Sequence, residues 1–126
     1  MVEEVIRTRV AWVDTDAGGR IHFTSAFRWA EEAETELMRR VGVLGEQWGS
    51  FPRRKVEAEY IQVLRFDDEI EVRLRVDNVG RTSVTYAWTI AKGGEPHIKG
   101  RHTVVHVDAE GRPEPIDDVL RAALDR

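Results

Sequence analysis

The chain has 126 residues, with 19 lysines and arginines, 23 aspartates and glutamates, and no cysteine. This length predicts one domain over residues 1–126. Hydrophobic residues make up 41% and charged residues 33%, which is typical of a soluble folded protein and excludes a disordered chain. The net charge of -4 argues against nucleic-acid partners, which bind basic surfaces. Without cysteine, disulfides, thiolate nucleophiles and thiolate metal ligands are excluded.

The N-terminus and the hydropathy of the chain predict its location. Residues 1–4 are acidic and lack the apolar run of a signal peptide. No stretch approaches the ~20 apolar residues that a membrane span requires. We therefore expect a cytoplasmic protein without a membrane span.

The first forty residues change their hydrophobic period. Apolar and polar residues alternate over 2–13, which predicts a strand. Residues 14–20 contain two aspartates and two glycines and are predicted to form a loop. From about 24 to 41 apolar residues recur at three-and-four spacing, which predicts a helix with Thr24 or Ser25 as its N-cap and Gly42 as its stop.

Four strand candidates follow, at 56–66, 69–77, 83–91 and 98–108, and a short helix is expected at about 116–124. The short connections between the strands favour antiparallel neighbours. The order of elements predicts the α+β class, with an antiparallel β-sheet wrapped around one long central helix. The open edges of such a sheet favour pairing with a second copy.

The loop and the start of the helix carry a recognisable pattern. Residues 14–23 (DTDAGGRIHF), followed by 27–31 (FRWAE), resemble the N-terminal signature of hotdog-fold thioesterases. Within that group the pattern most resembles the 4-hydroxybenzoyl-CoA thioesterase family, including its Tol-Pal-associated acyl-CoA thioesterases. Shorter similarities at 65–70, 80–83 and 111–113 extend the resemblance over nearly the whole chain.

This resemblance implies a hotdog fold, a homodimer or homotetramer, and active sites at subunit interfaces. It also implies hydrolysis of an acyl-CoA without metal or cofactor, coenzyme A being part of the substrate. Asp16 occupies the position of the family's catalytic carboxylate, and Asp14 occupies a first, non-catalytic acidic position. Phe23 falls where a backbone amide points to the thioester carbonyl.

The chemistry of thioester hydrolysis suits these groups. The free amides at the N-terminus of a helix stabilise a developing oxyanion. A carboxylate just before that helix can attack the carbonyl directly or activate water, and the sequence leaves both roles of Asp16 open. The structural alternative for Asp16 is an aspartate that bonds to its own turn. For Asp14 we expect a structural turn role.

Four further residues are candidates for substrate binding. His22, Thr24 and Ser25 lie beside the predicted site, and Arg81 lies in a turn where related enzymes place a basic residue that could contact the phosphates of coenzyme A. The order His22-Phe23 departs from the family pattern, so the resemblance does not indicate which acyl group the protein acts on. The basic run 53–55 is a second candidate for phosphate contact, although a solvated run is the simpler interpretation.

Other sites and functions are weaker. His102 and His106 share a strand face without a third ligand at a diagnostic spacing, so no metal site is predicted. No Gly-x-Ser-x-Gly, phosphate-loop or dinucleotide-binding pattern occurs. The alternatives to an acyl-CoA thioesterase are a non-catalytic acyl or aromatic ligand binder, a thioesterase acting on a chain bound to an acyl carrier protein, and a hydratase relative.

Overall fold

The computed structural model describes residues 1–45 and 48–126. Short 3-10 turns at Trp12–Asp14 and Trp48–Ser50 connect the larger elements. In chain order these elements are β1 (Glu3–Arg9), α1 (Ser25–Val41), β2 (Arg53–Tyr60), β3 (Glu69–Val79), β4 (Ser83–Lys92), β5 (Glu95–Val105) and α2 (Asp118–Leu124).

The five strands form one sheet in the order β1-β3-β4-β5-β2, and every pair is antiparallel. The predicted α+β class and antiparallel sheet are therefore confirmed. The strand predicted at 56–66 is displaced, because β2 spans Arg53–Tyr60. The amides of Ile61 and Gln62 both donate to the carbonyl of His97, at 2.8 and 3.1 Å, and this shared acceptor ends the regular ladder.

The two faces of the sheet differ in polarity. The predicted alternation along β4 is confirmed, with Val84, Tyr86, Trp88 and Ile90 all buried. Helix α1 lies on this face, mainly over β1 and β3, and adds to the core Ala26, Trp29, Ala30, Ala33, Leu37 and Met38. The opposite face carries charged side chains joined in ion pairs, such as those of Arg73 and Arg101.

Helix α1 ends as the sequence predicts. Gly42 adopts a left-handed conformation with φ of 84°, which a glycine reaches without steric cost, and its amide donates to the carbonyl of Arg39. In the described ranges, no helix is long and apolar enough to cross a membrane.

The β2 edge of the sheet, although it carries several charged residues, leaves a set of apolar side chains uncovered in a single chain. Because α1 lies mainly over β1 and β3, the side chains on β2 and the segment after it remain open to solvent. The large apolar residues exposed there are Val56, Tyr60, Ile61, Val63 and Phe66. This edge lies directly beside the loop that carries Asp16.

Candidate active site

The buried carboxylate of Asp14 fixes the loop that precedes α1. One oxygen accepts a hydrogen bond from the amide of Ala11 at 2.8 Å, and the other pairs with the guanidinium of Arg28. The carbonyl of Asp14 accepts the amide of His22 at 2.7 Å and the hydroxyl of Ser25 at 2.9 Å. Asp14 thus joins both ends of the loop, which fits the structural role expected of it.

Asp16 lies at the tip of the same loop and is exposed. Its amide donates to the carbonyl of Arg20 at 2.7 Å, and its Oδ1 accepts the amide of Gly18 at 2.8 Å. A Cβ at Gly18 would lie only 3.2 Å from that oxygen, so a glycine suits this close approach. Oδ2 makes no hydrogen bond to any residue that the structure describes. The turn expected of an aspartate is therefore present, yet it occupies only one of the two carboxylate oxygens.

The N-terminus of α1 is capped by an imidazole. Thr24 is the N-cap residue of α1, as the sequence predicts, but its side chain makes no capping hydrogen bond, so the hydroxyl does not play the role expected of it. Nδ1 of His22 instead accepts the amide of Thr24 at 3.3 Å and lies 2.7 Å from its hydroxyl. The hydroxyl of Ser25 is turned inward to the carbonyl of Asp14 and is not a cap. His22 lies two residues before Thr24, and its own amide is held by the carbonyl of Asp14.

Phe23 lies between these fixed positions. Its side chain is 62% exposed and stacks on the ring of His22, with centroids 4.7 Å apart. In the described part of the chain its amide makes no hydrogen bond, although the amides of His22 and Thr24 on either side are both bonded. An amide at the start of a helix that lacks a partner is available to an oxygen of a ligand.

Asp16 and Phe23 line one cleft of about 210 Å³. Its other walls are formed by the loop before α1 and by the segment that leaves β2, through Arg20, Ile21, Tyr60, Ile61, Gln62, Val63 and Leu64. The structure therefore brings together the carboxylate and the helix tip that the sequence predicts. Of the other candidates, His22 and Thr24 are exposed beside the cleft, whereas Ser25 is buried behind it.

Tyr60 is a member of the site that sequence reasoning missed. From the edge strand β2, its hydroxyl donates a hydrogen bond to the carbonyl of Phe23. Partial burial raises the pKa of the Tyr60 hydroxyl above its ordinary value, so the group stays protonated and able to donate. An aromatic residue at the end of an edge strand gives no sequence signal of such a contact, since the partner is a backbone atom 37 residues away.

A second polar cluster, also missed, lies in the middle of α1. Buried Glu34 accepts hydrogen bonds from both terminal nitrogens of Arg53, at 2.6 and 3.1 Å, and lies 2.8 Å from Nε2 of His102. Nδ1 of His102 accepts the indole N–H of Trp88 at 3.1 Å. Because an indole can only donate, Nε2 carries the imidazole proton and donates to Glu34.

The ionisation of this cluster follows from its contacts. Burial by itself would raise the pKa of the Glu34 carboxyl, but the hydrogen bonds from His102 and Arg53 and their electrostatic attraction outweigh it and leave the pKa below its ordinary value. The neighbouring Tyr86 hydroxyl is buried and has no hydrogen-bond partner in the described chain. Burial, reinforced by the charge of Glu34, raises its pKa well above the ordinary value.

The basic candidates lie at the other end of the sheet. Asp16 is near the start of β3, since its amide bonds to the carbonyl of Arg20, and Arg20 forms a bridge with Arg65 just before that strand. Arg81 follows the end of β3, about 35 Å of strand away, so one chain does not bring it to the cleft. Arg53 is occupied by Glu34, which removes it from the candidates for phosphate contact. Among the described residues, no group of three or more potential ligands could hold a metal ion.

Comparison with known proteins identifies the family. Residues 10–124 match the family model of the thioesterase-like superfamily. A curated relative named as a putative esterase from Aquifex aeolicus is 30% identical over 100 residues, which cover 70% of this chain and 72% of the relative. The acyl-CoA thioester hydrolase YbgC from Escherichia coli O6:H1 is 31% identical over 87 residues, covering 65% of this chain and 64% of the relative.

The solved structures agree with this assignment. A thioesterase from Thermus thermophilus, complexed with coenzyme A and Zn, superposes with a TM-score of 0.87 at 25% identity, covering 96% of this chain and 91% of that one. The resemblance seen in residues 14–31 and the hotdog fold that it implied are both confirmed. The chain therefore belongs to the thioesterase-like superfamily, which makes it a thioester hydrolase.

Proposed function

We propose that the protein hydrolyses an acyl-CoA to the free acid and coenzyme A at the cleft between Asp16 and the tip of α1. The observation that carries this proposal is the pairing, in one cleft, of a carboxylate oxygen and a helix N-terminal amide that both lack a partner within the described residues. The name of the YbgC relative and the coenzyme A in the Thermus thermophilus structure support the choice of substrate.

In the proposed reaction the thioester carbonyl oxygen accepts the amide of Phe23. The developing negative charge on that oxygen is stabilised by the amide and by the positive end of the helix dipole. The tip is preorganised, because hydrogen bonds from Tyr60, from Ser25 and within the His22–Thr24 turn hold it before substrate arrives. No reorganisation is then needed when charge develops, and this is the main way in which such donors accelerate acyl transfer.

Asp16 supplies the other half of the reaction by one of two routes. As a general base, its carboxylate removes a proton from a water molecule that attacks the carbonyl carbon; the carbon–sulfur bond then breaks and the thiolate takes up a proton. As a nucleophile, it forms an acyl anhydride with loss of the thiolate, and water hydrolyses the anhydride. A single turnover in oxygen-18 water tests the nucleophilic route, since label enters the Asp16 carboxylate only when water opens an anhydride at the Asp16 carbonyl carbon.

We propose that the cleft is completed in a homodimer through the β2 edge. This edge exposes both unpaired backbone groups and an apolar strip, which favours pairing with a second copy. Two β2 strands paired antiparallel about a twofold axis would bring the far end of the partner's sheet, with Arg81 of the partner subunit, towards the cleft of the first subunit. In that assembly the sheet would wrap around α1, the partner would bury the exposed face of β2, and water would be excluded from the site. Whether two dimers join further into a tetramer, and whether the protein resides in the cytoplasm, stay predictions.

The experiment that tests the function is a panel of acyl-CoAs, from acetyl- to palmitoyl-CoA with benzoyl-CoA as an aromatic member, assayed by release of free thiol. We expect catalytic turnover of at least one member without added metal or cofactor. Tight binding of acyl-CoA without thiol release would support the non-catalytic binder instead. If acyl chains are hydrolysed only when they are attached to an acyl carrier protein, the carrier in the substrate is that protein and not coenzyme A.

A further inference from the structure

Two arginines face each other beside the proposed active site. Arg20, in the loop before α1, and Arg65, in the segment before β3, form an isolated antiparallel bridge. The amide of Ile21 donates to the carbonyl of Leu64 at 3.1 Å and holds the two segments together. Side chains directly opposite each other in an antiparallel pair lie on the same side, and two like charges in that position are destabilising. The bridge therefore places the side chains of Arg20 and Arg65, both exposed, on the same side of two neighbouring segments.

Neither guanidinium has a compensating partner in the part of the chain that the structure describes. Within residues 1–45 and 48–126, the side chains of Arg20 and Arg65 make no ion pair and no hydrogen bond. Most other arginines are engaged with carboxylates, as shown by the ion pairs of Arg7, Arg9, Arg28, Arg39, Arg40, Arg53, Arg73, Arg75 and Arg101. Arg20 and Arg65 thus lie opposite each other across one bridge without a carboxylate partner among the described residues, in a chain with a net charge of -4.

The carboxylates that follow Arg65 in sequence are already engaged elsewhere. Asp67 pairs with Arg9 at 3.7 Å. Asp68 accepts hydrogen bonds from Nζ of Lys92 at 2.9 Å and from the backbone amide of Arg65 at 2.8 Å. Although partial burial acts to raise it, these contacts hold the pKa of Asp68 below its ordinary value. The Asp68 carboxylate thus remains ionised with Lys92 and leaves the guanidinium of Arg65 open to solvent.

The pair is joined to the catalytic loop. Arg20 lines the same cleft as Asp16, and its carbonyl accepts the amide of Asp16 at 2.7 Å. An anion held between the two arginines would therefore lie at the rim of the cleft in which we place the thioester. A guanidinium binds phosphate oxygens through two parallel hydrogen bonds, so two adjacent guanidiniums suit a phosphate group well.

We propose that Arg20 and Arg65 form an anion site that binds a phosphate group of the thiol carrier. The inference rests on the proposed thioester substrate. In both coenzyme A and an acyl carrier protein, the thiol-bearing pantetheine arm is joined to a phosphate group. Bound phosphate neutralises the like charges across the bridge, so the binding contributes affinity that falls as salt concentration rises.

The test is calorimetric titration of the full chain with coenzyme A, 4′-phosphopantetheine and pantetheine, which carries no phosphate. We expect the wild type to bind coenzyme A about 100-fold more tightly than pantetheine, since each charge-assisted contact is worth about a factor of ten. Arg20→Ala and Arg65→Ala should each remove about tenfold of the affinity for coenzyme A and leave that for pantetheine unchanged. Neither side chain has a partner in the described chain to lose, so both variants should keep the circular dichroism spectrum and melting temperature of the wild type.

Arg126→Ala is the matched control, because Arg126 is exposed and lies beyond α2, away from the cleft. It should bind coenzyme A as the wild type does. If 4′-phosphopantetheine binds as tightly as coenzyme A, the bound group is the phosphate shared with carrier proteins; if it binds like pantetheine, the nucleotide phosphates are bound. Equal affinities for coenzyme A and pantetheine in the wild type, or coenzyme A affinities unchanged in both arginine variants, would overturn the anion site. A failure to hydrolyse any acyl-CoA would overturn the proposed function instead, and the binding difference would survive it.

Discussion

Helix α1 carries two polar clusters that differ in how completely their hydrogen bonds are satisfied. At its N-terminal tip, an oxygen of Asp16 and the amide of Phe23 have no partner in the described chain and share an open cleft. In its middle, Glu34 and His102 are almost fully buried. Both carboxylate oxygens of Glu34 and both ring nitrogens of His102 are hydrogen-bonded.

The difference separates a group held for stability from a group held for reaction. A buried carboxylate is tolerated only when donors and a positive charge compensate the loss of water, and its oxygens are then not available to a ligand. An exposed carboxylate can leave one oxygen unpaired at little cost, because water solvates it until substrate displaces that water. Glu34 is therefore expected to govern folding, and Asp16 to govern turnover.

The largest expected effect is the loss of activity in Asp16→Asn. The amide keeps the size and the Oδ1 contact of the carboxylate but can neither accept a proton nor attack, so kcat/KM for the best acyl-CoA should fall by about 10²- to 10⁴-fold. The melting temperature should stay unchanged because the side chain is exposed. Asp118→Asn, at an exposed position in the first turn of α2, is the control and should retain full activity. Full turnover by Asp16→Asn would remove Asp16 from the mechanism.

Glu34→Gln should show the reverse pattern. Removing the charge takes away the close ion pair of half-buried Arg53 and leaves it only a longer contact of 3.7 Å with exposed Glu31, so the free energy of unfolding should fall by about 3 kcal/mol in a urea titration. The protein that remains folded should keep its kcat/KM. Glu36→Gln is the matched control on the same helix; its ion pair with Arg39 is exposed, so the change should be under about 1 kcal/mol. Equal losses in the two variants would contradict the role of the buried cluster.

The same cluster predicts a pH dependence of stability. The folded-state pKa of Glu34 lies below its ordinary value of 4.5, so ionised Glu34 stabilises the fold above the unfolded pKa. This contribution is lost as the pH falls through the folded pKa. The difference in unfolding free energy between wild type and Glu34→Gln should be constant from neutral pH to about 5 and should shrink below about 4.5. A difference that grows on acidification would have the wrong sign.

The sequence reveals the tip more readily than the middle of the helix. Asp16 and Phe23 lie seven residues apart in a local pattern of loop and helix, so their meeting follows from chain connectivity and from a recognisable motif. Glu34 and His102 are 68 residues apart, and nothing in the periodicity of α1 distinguishes a buried glutamate from the solvated ones around it. In the sequence Arg53 is indistinguishable from the other members of its basic run, because its pairing with Glu34 is fixed only by packing.

Tyr60 and Tyr86 sharpen the comparison at the level of a single atom and should give the smallest effects. In Tyr60→Phe the carbonyl of Phe23 loses a hydrogen bond, the amide-bearing tip becomes less fixed, and kcat should fall by about three- to tenfold with KM and stability nearly unchanged.

In Tyr86→Phe a buried hydroxyl without a partner in the described chain is removed, so stability should stay constant or rise by up to about 1 kcal/mol and kcat should not change. Stopped-flow thiol release and urea titration of both variants measure these quantities. If the free energy of unfolding of Tyr60→Phe falls by as much as its activation free energy rises, Tyr60 is a structural residue. A fall in kcat in Tyr86→Phe would show that the two clusters are coupled through α1.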